Sequence, residues 1–182
     1  MARPSSIDDL EALLRRPKRL EGALDWKPQH DGKSTPPRNT RVQLVAALLA
    51  DGVVLEGVQF LAAAPMFDPD RGVAMQLMVL HGGKYRPFTR IDWRGSPHTN
   101  RKNPGSRLWL RDAGDTHIHR LDDNAFRGWP GIVAKRDDLP EAEATPPLDD
   151  FRTLLAYVGV EFGLENVEQI REPQWQASLF QE

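Results

Sequence analysis

Hydrophobic positions change period twice along this chain. From Ser6 to Arg16 they recur at helical spacing, with Ile7, Leu10, Leu13 and Leu14 on one face, Ser6 as cap and Asp8 and Asp9 in the first turn. Pro17 closes that helix. KPQHDGKSTPPRNTR, from Lys27 to Arg41, contains no aliphatic residue and predicts a flexible linker in which His30 is solvated. Between Val42 and Trp93 the period becomes two. VQLVAALLADGVVLEGVQFLAAA predicts a hairpin turning on Asp51-Gly52, and VAMQLMVL and KYRPFTRIDW predict a second turning at His81-Gly82-Gly83. FDPDRG connects them, with too few acids for calcium. SRLWL and THIHRL predict further strands. After the polar KRDDLPEAEATPP, helical spacing returns: Leu148, Phe151, Leu154, Leu155, Val158 and Phe162 share a face, Asp149 and Asp150 fall in the first turn, and Gly163 is the stop.

These elements predict an α+β fold, an antiparallel β-meander of four to six strands with a short N-terminal helix and a C-terminal amphipathic helix packed on one face. The chain divides into an N-terminal helix (1–26), a flexible linker (27–41), an α+β domain (42–170) and a C-terminal tail (171–182).

At 182 residues the chain is long enough for one self-sufficient core. It has no cysteine, which excludes disulfides, thiolate metal sites and cysteine nucleophiles. The N-terminus carries acids where a secretory signal needs an apolar run, and no stretch has the length of a membrane span. A cytoplasmic protein without membrane contact is expected. The formal net charge of −2 is unevenly spread: residues 81–120 carry nine basic and three acidic side chains, residues 121–182 five basic and thirteen acidic. The basic segment favours a phosphate-bearing or nucleic-acid partner, unless the acidic segment neutralises it within the fold.

Three of the five histidines fall in that basic segment, within PHTNRKNPGSRLWLRDAGDTHIHRL. In a strand His117 and His119 project to one side while Ile118 points to the other. Antiparallel pairing can bring His98, with Asn100 beside it, to the same place. A neutral imidazole beside a protonated one can act as base and acid near pH 7. Arg90, Arg94, Arg101, Lys102 and Arg107 would then hold a phosphate, Arg86, Arg90 and Arg94 forming a basic ridge on one strand face. RNA suits this scheme because its 2′-hydroxyl supplies the nucleophile. The same imidazoles could bind a divalent transition metal, although Asp115 is the one carboxylate at ligand spacing and the arginines would repel a cation.

PHTN followed by HIH resembles a group of small prokaryotic proteins with a Pro-His-x-Asn motif and then His-x-His, and is similar in plan to histidine-cluster toxins of toxin–antitoxin pairs. The resemblance spans roughly Val42 to Phe162 and points to His98, Asn100, His117 and His119. It departs after the asparagine, where Asp-Gly is replaced by Arg101-Lys102-Asn103-Pro104-Gly105. In the tail, Gln176, Leu179 and Phe180 of QASLF resemble the short motif by which bacterial replication and repair proteins bind the DNA sliding clamp. The expectation is a nucleic-acid-acting protein, a toxin-like ribonuclease with a cognate protein partner. A non-enzymatic adaptor using the tail and a metal-dependent hydrolase are the alternatives.

Overall fold

The computed structural model describes residues 3–29, 41–66, 72–134 and 139–173. Most of the linker, with His30, lies outside the described residues, as do Asp68 and Asp70 and the tail with Gln176, Leu179 and Phe180.

The fold is α+β. Helix α1 (Ile7–Arg15) begins at Ser6, whose side chain accepts from Asp9 N while the Asp9 carboxylate accepts from Ser6 N. Strands β1 (Arg19–Glu21), β2 (Lys27–Gln29), β3 (Arg41–Ala50), β4 (Val53–Pro65), β5 (Val73–His81), β6 (Lys84–Trp93), β9 (His117–His119) and β10 (Glu143–Ala144) form one antiparallel sheet among the described residues. Its order is β1-β3-β4-β5-β6-β9-β10, and β2 also pairs with β3. Eight strands exceed the four to six expected, because short segments on either side of the two hairpins also join. One is Lys27–Gln29, at the start of the expected linker. Asp51 and Gly52 both take positive φ, the backbone of a primed two-residue turn whose twist matches the strands.

Strand alternation divides the sheet into two faces. Leu44, Leu48, Phe60, Ala62, Met75, Leu77, Ile91 and Ile118 belong to the core, together with Leu10 and Leu13 of α1 and with Phe151, Leu154, Val158 and Phe162 of α4 (Phe151–Phe162). Asp150 caps α4 through a reciprocal pair with Thr153, one position outside the first turn expected for it. Two short helices, α2 (Leu121–Asn124) and α3 (Gly128–Ala134), follow β9 without a clear helical period in the sequence.

Two sequence expectations fail locally. SRLWL is a run of turns, because Trp109 N bonds to Ser106 O, Arg111 N to Leu108 O, and the Ser106 hydroxyl accepts from Leu108 N. The basic ridge holds only in part: across a register shift between Leu77 and Met78, Arg90 stands opposite Gln76 and Arg86 opposite Val79, and both arginines line one cleft. Arg94 has φ 51 and leaves the strand, its guanidinium over the Trp93 ring and bonded to Asp149 O.

The chain ends of the fold are locked together at Lys18. Its backbone bridges Gly163 O and Glu165 N, and its buried ammonium donates to Phe162 O at 2.5 Å, at the C-terminus of α4. Burial pushes its pKa down to about 8 from the ordinary 10.5. Between those values the unfolded chain keeps a proton that the folded chain has lost, so this group's contribution to stability rises with pH. In urea titrations, the unfolding free energy of wild type minus that of Lys18→Met should therefore grow by about 2 kcal/mol from pH 8 to 10; a constant difference would refute the assignment.

Candidate metal centre

The sheet's second face carries the histidines of β9. Two cross-strand rows can be followed in the register: Gln43, Ala63, Ala74, Asp92, His117, and beside it Leu61, Gln76, Arg90, His119. They lead from an open cleft of about 660 Å³, lined by Gln43, Leu61, Gln76, Arg90, Asp92 and His98 among others, to the imidazoles of β9. A larger groove of about 1040 Å³ runs along α4 beside Leu155, Val160 and Ile170, and no imidazole lines it.

His98 reaches this face from a separate two-stranded sheet, β7 (His98–Thr99) paired with β8 (Asp112–Gly114). The ring centroids of His98, His117 and His119 lie 5.0–5.4 Å apart. One ring nitrogen from each falls within 4.8 Å of the others, a group that could hold a metal ion. His117 and His119 are buried, and His98 is half-buried.

Backbone carbonyls fix which nitrogen of each ring is available. His98 Nε2 donates to Pro140 O at 2.9 Å, His117 Nδ1 to Gly114 O at 2.9 Å and His119 Nδ1 to Glu141 O at 3.1 Å. A carbonyl only accepts, so these nitrogens carry the protons and, in the neutral rings, His98 Nδ1, His117 Nε2 and His119 Nε2 carry lone pairs. Outer-shell acceptors of this kind orient imidazoles in metal sites.

Two of these carbonyls, on Pro140 and Glu141, belong to a segment held by two buried asparagines. Asn124 accepts from Glu141 N at 3.0 Å and donates to Glu141 O at 2.9 Å; Asn100 accepts from Ala142 N at 2.7 Å and donates to Ala142 O at 2.8 Å. Each amide stands in for a strand neighbour. Asn100, expected in the chemistry, is thus bonded to backbone and fully buried. Asn124 and the 140–142 segment carry no sequence signal, since their role depends on who faces them.

Asp92 is the carboxylate at the cluster. Its Oδ2 lies 3.3 Å from both His117 Nε2 and His119 Nε2 and accepts from Arg90 Nε at 2.8 Å. Burial alone would raise its pKa, but any proton on His117 or His119 Nε2 that is donated to it, together with the Arg90 charge, outweighs that and holds it well below the usual carboxylate range. Asp115 instead accepts from Thr116 Oγ1. An Arg-x-Asp alternation on a strand placed beside His-x-His was the one available hint of Asp92.

Of the expected phosphate-holding residues, Arg90 meets the cluster, Nη2 donating to His119 Nε2 at 2.9 Å. Arg107 is paired with Glu143 and Asp123, and Arg101 and Lys102 are exposed. Burial, together with the nearby Arg90 charge, pushes the His119 pKa down to about 4 despite Asp92. The remaining contradiction is local: two ring nitrogens with lone pairs face one carboxylate oxygen, an arrangement that attracts a cation.

Comparison with protein-family models, with curated proteins and with solved structures finds no match. Fold and site define an α+β protein with a three-histidine group able to hold a metal ion.

Two outcomes follow for the metal-free protein. Asn124→Ala removes both side-chain bonds to Glu141 and should cost about 2–4 kcal/mol in urea unfolding; a loss under 0.5 kcal/mol would show the clamp to be idle. Because unfolded His119 takes up a proton that the folded chain refuses between pH 6.5 and 4, stability should fall across that window as pH drops, by on the order of 2 kcal/mol from this residue. His119→Gln should remove that part of the slope, and an unchanged slope would contradict the assignment.

Proposed function

We infer that the protein is a metal-dependent hydrolase of anionic esters, phosphoesters foremost, with the ion held by His98, His117 and His119 and with Asp92 beside them. The observations that support this most are that one ring nitrogen from each imidazole lies within 4.8 Å of the others and that each ring has a nitrogen on a backbone carbonyl. Three imidazoles and a carboxylate suit Zn, Mn, Fe, Co or Ni. An ion bound there supplies Lewis acidity and a water acidified toward neutral pH.

The chain's own groups do the remaining work. Pro140 O, Gly114 O and Glu141 O keep the rings in the tautomers that leave lone pairs on His98 Nδ1, His117 Nε2 and His119 Nε2. Asp92 would offset part of the charge of an ion held among the ring nitrogens. His98, half-buried on the cleft, leaves a side open to substrate. Phosphodiesters, RNA included, fit this chemistry. Metal-free acid–base cleavage draws less support, since His119 is held neutral and shielded while Arg94 and Arg107 are engaged elsewhere.

Purified protein should bind one Zn²⁺ or Co²⁺ per chain, His117→Ala should weaken binding roughly 100-fold with the far-UV spectrum unchanged, and chelation should abolish hydrolysis of bis(p-nitrophenyl) phosphate. Wild-type protein that takes up no transition metal would eliminate this function.

A further inference from the structure

Loading the site would cost His119 its present partner. The Nε2 lone pair that an ion requires accepts from Arg90 Nη2 at 2.9 Å, while the same guanidinium donates from Nε to Asp92. One lone pair cannot serve both, and a cation among the imidazoles repels a guanidinium at this distance. Arg90 must therefore turn away when an ion arrives.

Two observations point to where it goes. Arg90 stands directly opposite Gln76 in the β5/β6 register, and both residues line the cleft. Gln76 is 8% exposed, and its buried Oε1 has no hydrogen-bond partner among the described residues. A buried acceptor left unmet is costly, and a residue that keeps one stands ready for a donor. Opposed residues in an antiparallel pair have Cα atoms roughly 5 Å apart, well within reach of an arginine.

We propose that metal binding moves Arg90 from His119 to Gln76, and that the guanidinium so placed makes the cleft an oxyanion-binding site beside the ion. The proposal rests on the metal-dependent function above and gives it a substrate class: a small molecule bearing a phosphate or carboxylate. A guanidinium has five N–H donors, so a bond to Gln76 Oε1 leaves others for the oxyanion. Leu61, Ala63, Ala74 and Met78 line the same cleft and can accept an apolar remainder. By linkage, an oxyanion that favours the displaced arginine tightens metal binding by the factor by which metal tightens the oxyanion.

The test compares wild type, Arg90→Met and Gln76→Met. Zinc affinity is read by competition with a chromophoric chelator, and phosphate and acetate binding by calorimetry with and without zinc. Arg90→Met should bind zinc about tenfold more tightly, the competitor for His119 being gone, yet its zinc form should bind phosphate about tenfold more weakly than the wild-type zinc form. Gln76→Met should bind zinc several-fold more weakly, while its zinc-free form melts ~2–4 °C higher because the unmet acceptor is removed. A structural Gln76 would give a lower Tm instead, and that result overturns the proposal even if Arg90→Met does not fold. Equal phosphate affinity with and without zinc, or no gain in zinc affinity in Arg90→Met, overturns it too and leaves the metal assignment standing. Failure of wild type to bind zinc overturns both. Phosphate held more tightly than acetate assigns a phosphoryl substrate, and the reverse a carboxylate.

Discussion

The grip of two asparagine amides on the peptide from Pro140 to Ala142 is the constraint on which the site depends. Asn100 and Asn124 bond to consecutive residues of that peptide, each taking its N–H and its carbonyl. Three segments far apart in the chain are thereby fixed, and the Pro140 and Glu141 carbonyls become acceptors at set positions. A buried amide with its full complement of partners resists rotation, because any turn would leave polar groups unmet. Rigid acceptors fix ring tautomers, and fixed tautomers decide which nitrogens keep lone pairs. A similar device recurs at Asn166, which bonds to both backbone groups of Leu20 and ties β1 to the turn after α4.

Charge at the cluster is balanced by proximity. Asp92 would be costly to bury alone. It is offset by Arg90, which also satisfies the lone pair of His119, and it lies 3.3 Å from the Nε2 atoms of His117 and His119. The guanidinium thus occupies the place that a metal ion's charge would take. Two other basic side chains of the segment are spent elsewhere, Arg107 and Arg120 on Glu143 and Arg120 also on Glu161. The basic and acidic segments of the chain therefore neutralise each other in part within the fold, and the positive field expected around the histidines shrinks to a few groups near the cleft.

The two faces of the sheet have different origins. The apolar face follows from alternation and is covered by α1 and α4, as their apolar stripes require. The polar face owes its content to register. A one-residue slip of β9 against β6 would send His117 and His119 into the core and Ile118 into the cleft, so burial of Ile118 enforces the pairing that aligns the imidazoles with Asp92 and Arg90.

The amino-acid sequence by itself determined what short-range periodicity and turn chemistry can encode. These are the capped helices at either end, the hairpin turning on Asp51 and Gly52, and the placing of His117 and His119 on one side with Ile118 on the other. It marked His98, His117 and His119 as a group, and the structure brings their rings within 5.4 Å. Tertiary structure decided the rest. SRLWL became turns because local side-chain and backbone bonds outcompeted a strand. The arginine ridge lost Arg94, whose backbone turns out of the strand, while Arg86 and Arg90 stayed on one cleft. Asn100 became a backbone clamp, and Asp92, Arg90 and Asn124 entered the site by strand pairing or by contact with a distant loop. Side-chain direction over a few residues is a property of the local chain, whereas the partner that a polar group meets when buried is set by segments up to tens of residues away.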